Sequence, residues 1–298
     1  MHRMRRRKER AMILLFLSPY LIGFLVFMLY PILASLYYSF CEYHPLRSPV
    51  FIGLQNYTKL MGDKVFWKAM GNTLTILLMG VPSKLIVALG LALLLNRKQP
   101  FTGLFRSMIY IPSVVPTVAV SIVWTWIMNP KYGLINASLA FFGIIGPGWL
   151  SNPQWVKPAL VIMSVWGAGN TMVMFLAALQ DVPHELYEAA DIDGANAGAR
   201  LFSITIPMIK PAITYNLIVS VINYMQYFTQ SFVVNQVNGG GVGSPRNSTM
   251  FLGTYLYENA FSYYKMGYAS SIAWILLILT LIATLILLKT QNGLSDSK

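Results

Sequence analysis

Six stretches of the chain are long enough to cross a bilayer and hold a single charge, Lys84, among them: Ala11–Tyr30, Leu74–Leu95, Met108–Met128, Ala159–Leu179, Ala212–Val237 and Met266–Leu288. A helix crosses about 30 Å of hydrocarbon in roughly 20 residues at about 1.5 Å each. The pattern therefore predicts an all-α polytopic membrane protein with six transmembrane helices. Composition agrees, with 56% of residues hydrophobic and 11% charged, where soluble domains carry about 25% charged residues. The same hydrophobicity excludes disorder. Pro19, Pro82, Pro112 and Pro116 fall within or beside these runs. In lipid they are compatible with helices, because neighbouring helices and hydroxyls re-satisfy the carbonyls that proline frees.

Orientation follows from the basic residues. Six spans put both termini on one side. That side carries Arg3, Arg5, Arg6, Arg7, Lys8, Arg10, Arg97, Lys98, Arg106, Arg200, Lys210, Lys289 and Lys298, thirteen charges against eight on the longer connections opposite. The positive-inside rule makes both termini cytoplasmic. A net charge of +12 would suggest nucleic acid in a soluble protein. Here the arginine cluster reads as a topology anchor beside anionic headgroups, and no nucleic-acid partner is expected. A cleaved signal peptide is the alternative for the first run, but that run exceeds the usual core of about 7–15 residues and no clean A-x-A site follows it. The one cysteine, Cys41, leaves neither a disulfide framework nor a structural zinc site.

Of the ten acids, five fall between Asp181 and Asp193 and none lies in a span; His2, His44 and His184 are also outside. Ion-coupled carriers usually need an intramembrane carboxylate or histidine, so an ion-driven pump is disfavoured. A channel stays open, and so does a membrane enzyme, though neither a Ser/His/Asp constellation nor H-E-x-x-H is present. The acidic cluster opens the longest cytoplasmic connection, about 180–211, which reads as a helix–turn–helix. Asp181 can cap, Pro183 suits a first turn, and Glu185 and Glu188 favour the positive pole of the helix dipole. Gly194 then reads as the C-terminal cap, and a second short helix is expected from about Ala197 to Ile206, ended by Pro207. Small Ala189, Ala190 and Ala195 would let a partner approach, with Glu188 and Asp193 as charged anchors. A merely solvated loop is the alternative.

Glu188-Ala189-Ala190, Asp193-Gly194-Ala195, Ile204, Pro207 and Pro211 resemble the E-A-A-x-x-D-G-A…I-x-x-P-x-x-x-P loop of permease subunits of binding-protein-dependent ABC importers. Other segments resemble the sugar-importer branch, of the maltose and glycerol-phosphate permease type. They are Leu29-Tyr30-Pro31-Ile32 closing span one, Gly53-Leu54-Gln55-Asn56-Tyr57, Asn72-Thr73, Ala92–Asn96, the run Asn129–Asn136, and Met266-Gly267-Tyr268-Ala269-Ser270. Where relatives often place a tryptophan and a phenylalanine after the D-G-A, this chain has Gly198 and Leu201, with Phe202 one place later. The resemblance implies one transmembrane domain over 1–298, half of a pair whose other half is a second permease, expected to be a different chain. It also implies two copies of a cytoplasmic ATPase, an extracellular solute-binding protein and a carbohydrate substrate, in a bacterial or archaeal plasma membrane. Glu188, Ala189, Ala190, Asp193, Gly194, Ala195 and Pro207 would couple to the ATPase. No cofactor is expected in the chain, which has no G-x-x-x-x-G-K-[ST]; ATP and Mg would be used by the partner ATPase, and the chain itself would not be an enzyme. The Gly239–Gly243 run lacks the Lys-Ser/Thr of a phosphate loop and reads as an extracellular loop.

In span five, Asn223, Gln226, Tyr227 and Gln230 recur at i, i+3, i+4 and i+7, one face of a helix. Amides and a tyrosine without formal charge suit a neutral carbohydrate in a translocation pathway better than an anion; the alternative is hydrogen bonding that holds the bundle together. Trp166 and Asn170 stand at i, i+4 in span four and are candidates of the same kind. Lys84 is expected to snorkel or to pair at a helix interface. Two rival functions stay open: a stand-alone secondary carrier or channel, and a membrane subunit that binds a cytoplasmic protein but transports nothing.

Overall fold

The computed structural model describes residues 2–97 and 100–292; Lys98 and Lys298, two of the thirteen basic residues above, lie outside the described residues. Among the described residues the strands are two short ones, Cys41–Glu42 and Val50–Phe51, paired antiparallel with Cys41 opposite Phe51. Everything else that is regular is helix. Three helices are long and apolar enough to cross a membrane alone: Leu15–Ser39, Lys64–Leu95 and Met266–Thr290. Three bent pairs qualify jointly: Thr102–Val114 with Thr117–Ile127 (100°), Val156–Trp166 with Gly169–Gln180 (52°), and Ala197–Met208 with Lys210–Met225 (69°). The protein is an all-α polytopic membrane protein with three to six spans.

The helices depart from the expected runs at identifiable places. The first does not end at Tyr30 but continues to Ser39. Pro31 is accommodated because a π-helical turn, Leu25–Leu29, precedes it, with the Tyr30 N–H bonded five residues back to the Leu25 carbonyl. The extra residue in that turn relieves the clash and the lost bond that proline brings to a regular helix. The expected run Met108–Met128 is split, since Val115 and Pro116 are extended (ψ 134° and 133°). The residue before a proline is pushed out of the α region. The run Ala159–Leu179 breaks at Gly167–Ala168, and Ala212–Val237 breaks between Met225 and Thr229, where Phe228 has φ −143° and ψ −63°.

The chain divides into two compact units, Met1–Asp63 with Leu256–Ile275, and Lys64–Tyr255 with Leu276–Lys298. In the first unit the helix Leu15–Ser39 buries none of its most apolar stretch, and Phe16 and Phe27 are 79% and 80% exposed. A helix apolar on all sides and uncovered is a lipid-facing helix. Beyond it, the Asn56 amide donates to the carbonyls of Ser39 and Cys41, at 2.9 Å each, and the Tyr57 hydroxyl donates to Ser39 Oγ at 2.8 Å. Tyr268 donates to Asp63 at 2.7 Å. The Gly53–Tyr57 and Met266–Ser270 motifs thus serve a polar knot at the end of this helix.

In the second unit, Lys64–Leu95 packs against Val156–Trp166, Gly169–Gln180 and Lys210–Met225. Ala88, Ala92, Met172, Phe175, Leu176 and Ile209 form a buried core there. Between helices in lipid, close packing replaces the hydrophobic effect, which favours small residues at contacts. At Gly169 a β-carbon would stand 2.5 Å from the Ile109 carbonyl oxygen. Polar ties hold the long connection beyond Val237 to the same helix. Asn72 donates to the carbonyls of Asn247 (2.7 Å) and Met250 (2.9 Å), and Thr73 Oγ1 accepts from the Leu252 N–H at 2.9 Å.

Candidate functional site

In the second unit a cavity of about 360 Å³ opens where three helices break. Val115 and Thr117 reach it from the 100° bend, Gly167 from the 52° bend, and Gln226, Tyr227 and Phe228 from the gap before Thr229–Val237. Helix breaks at membrane depth are tolerated where the freed backbone lines a cavity. Discontinuous helices of this kind build substrate sites in many transporters.

Asn223, Gln226, Tyr227 and Gln230 all line this cavity, but not as one face of one helix. Asn223 lies in the last turn of Lys210–Met225, Gln226 caps it, Tyr227 lies in the gap, and Gln230 opens the next helix. The break, with no proline or glycine in it, comes from tertiary contacts. Tyr227 is buried, its ring stacked 5.9 Å from that of Tyr224 and edge-on to Phe251 at 5.1 Å, and its hydroxyl donates to Gln230. The Tyr224 hydroxyl is bonded to that of Ser164. Tyr224 fits only because residue 80 is glycine, where a β-carbon would stand 2.2 Å from its ring. Asn223 and Gln226 make no side-chain hydrogen bond among the described residues.

Trp166 and Asn170 are not in the cavity lining. The break at Gly167–Ala168 puts them on different helices and removes their i, i+4 relation. Trp166 instead meets Trp124 edge-on, with centroids 5.8 Å apart. Lys84 does line the cavity. It neither pairs nor finds a hydrogen bond among the described residues, so of the two expectations, snorkelling or pairing, the pairing is not seen. Its sequence signal was plain, as the one intramembrane charge; what the sequence lacked was the rotation of Lys64–Leu95 that aims it inward. Ser164 and Tyr224 were missed altogether, having no local mark.

The connection 180–211 is a helix–turn–helix. Its first helix runs His184–Ile192, preceded by Pro183; Asp181 closes the helix before it and caps nothing here. Gly194 makes the turn with φ +72°, while the Ala195 N–H bonds to the Ala190 carbonyl at 2.8 Å, a glycine-type helix stop. Asn196, unremarked in the sequence, caps the second helix by accepting the Ala199 N–H at 2.8 Å. That helix runs through Pro207 to Met208 rather than stopping, because a second π-helical turn, Leu201–Thr205, precedes the proline as at Pro31. Tyr187 and Thr205 share a 2.9 Å hydrogen bond, and Arg200 pairs with Asp191, tying the two helices together. Glu188, Ala189, Asp193, Gly194 and Pro207 are exposed, Ala195 is half-buried, and Ala190 is turned inward. Ile192 and Phe202 stand 88% and 70% exposed on this element. Among the described residues no three His, Cys, Asp or Glu side chains are grouped to hold a metal ion.

Residues 84–292 match the family described as "Binding-protein-dependent transport system inner membrane component". The chain is 39% identical over 289 residues to the "Probable ABC transporter permease protein YesP" of Bacillus subtilis, covering 96% of this chain and 92% of that protein. It is 37% identical to the "Lactose transport system permease protein LacF" of Rhizobium radiobacter, covering 89% of each. Its fold is similar to a chain of a bacterial alginate ABC transporter crystallised with an alginate pentasaccharide-bound periplasmic protein, with TM-score 0.79, 23% identity, and 95% and 94% of the two chains covered.

Proposed function

The chain belongs to the family of inner membrane components of binding-protein-dependent transport systems, and from that premise we propose that it is one permease subunit of an ATP-driven importer of carbohydrate. In this reading residues 1–298 form one transmembrane domain with six spans, each bent pair crossing once, and with both termini cytoplasmic. A second permease of different sequence completes the pathway, two ATPase subunits bind and hydrolyse ATP with Mg, and an external binding protein delivers the saccharide. The relative named for lactose transport supports a saccharide cargo. Asn223, Gln226, Tyr227 and Gln230 line the path, their amides suited to sugar hydroxyls and the tyrosine ring to an apolar sugar face.

The observation that carries the reading is the helix pair 184–208, held by Tyr187–Thr205 and Asp191–Arg200 yet leaving Ile192 and Phe202 uncovered. Large apolar side chains exposed on a polar, rigid element mark a docking surface. Glu188, Ala189, Asp193, Gly194 and Pro207 are exposed on the same helix pair, and the ATPase docks there. Ala190 acts from beneath, as packing.

The test is affinity purification of the tagged chain from its own membranes, with and without Gly194→Trp, followed by uptake in vesicles. An ATPase and a second permease should come along and be reduced by the substitution. Uptake should need ATP inside and binding protein outside. A carrier would transport with neither, and a silent subunit would transport under no condition; either result overturns the reading.

A further inference from the structure

The charge balance of the cavity points to a particular class of saccharide. Sixteen of the described residues line it, and among these Lys84 is the only charged one and none carries a carboxylate. A charged group held inside a membrane protein without a partner is costly, and such groups as a rule face a water-filled path and meet a counter-charge there. The neighbouring polar groups do not supply one. The hydroxyls of Tyr224 and Tyr227 are engaged with Ser164 and Gln230, while the amides of Asn223 and Gln226 are unengaged among the described residues. One ammonium and two free amides, with no acid to repel it, form a donor-rich surface for an oxyanion. Charge-assisted hydrogen bonds are about twice as strong as neutral ones, so the lysine outweighs the neutral stripe from which an uncharged sugar was expected.

We propose that Lys84 makes this cavity selective for acidic saccharides, its ammonium pairing with a uronate carboxylate as the sugar passes, with Asn223 and Gln226 donating to the same oxygens or to adjacent hydroxyls. This rests on the cavity being part of the translocation path. The test uses the complex purified with its partner subunits in detergent and without binding protein, so that only the membrane site is read. Equilibrium dialysis compares labelled trigalacturonate with galactotriose, which differ only in carboxylate against hydroxymethyl. The unmodified complex should hold trigalacturonate roughly 10-fold more tightly or better at low salt, Lys84→Gln should abolish that preference, and Lys84→Arg should keep it. Galactotriose binding as tightly, a preference that survives Lys84→Gln, or binding of neither sugar overturns the inference. The two-sugar comparison on the unmodified complex decides the matter even if Lys84→Gln fails to assemble. Recovery of the ATPase in the same preparation reports separately on the permease reading.

Discussion

At Gly267 a β-carbon would stand 2.0 Å from the carbonyl oxygen of Cys41, and a backbone atom cannot swing aside as a side chain can. Gly267→Ala should destabilise the protein by about 1–3 kcal/mol, the usual cost of overpacking, read as a fall in the thermal midpoint of the purified complex. Gly90 is the control. It lies inside the helix Lys64–Leu95 with nothing within 4 Å of its would-be β-carbon, so Gly90→Ala should leave the midpoint unchanged or raise it by the equivalent of up to about 1 kcal/mol. Gly194 is a third case, with open space but φ +72°. There the cost is conformational alone, and Gly194→Ala should lose about 1 kcal/mol locally, read as faster amide exchange between Ala190 and Ala195. Gly194 was legible in the sequence because acids, alanines and a proline flank it in a polar stretch. The need for glycine at 267 was not, since the Cys41 carbonyl that crowds it is supplied by a distant part of the chain.

The helices show where local pattern informs and where it stops. Apolar length located every long helix, and the proline at 116 sits at the sharpest break, where its predecessor had to be extended. Pro31 and Pro207 look the same in sequence, yet each is taken up inside a helix because a π-helical turn precedes it, the 69° bend after Pro207 coming only at Ile209; no residue type announces such a turn. The gap at Gln226–Phe228 is less legible still, since it is made by Tyr227 seating against Phe251 and Tyr224, and so the helical face that suggested the cavity residues does not exist although the residues do meet. On the helix pair 184–208 the sequence singled out small alanines for the contact, and Ile192 and Phe202 stand uncovered on the same element. Ile192→Asp should therefore reduce ATP-driven uptake at least 10-fold and lower ATPase recovery, while the thermal midpoint of the permease stays unchanged. Uptake at the normal rate would mean that this surface docks nothing.

At the scale of the whole chain, the scarcity of charge decides the solvent and the placing of the basic residues predicts the direction. Both readings need no coordinates, because they depend on sums over long segments rather than on any one contact. The direction carries a consequence for mechanism: the helix pair 184–208 can meet an ATPase only if it faces the cytoplasm, while the connections bearing Lys131 and Arg246 must face outward. All three test positions, Lys131, Arg246 and Glu185, are exposed, so each accepts a reporter without disturbing packing. In a Cys41→Ser background, which removes the one native thiol, Lys131→Cys and Arg246→Cys should react with a membrane-impermeant maleimide added to intact cells stripped of outer barriers, and Glu185→Cys should react only after the membrane is opened. Labelling of Glu185→Cys from outside would invert the topology and leave the exposed Ile192 and Phe202 on the wrong side of the membrane for any nucleotide-driven partner.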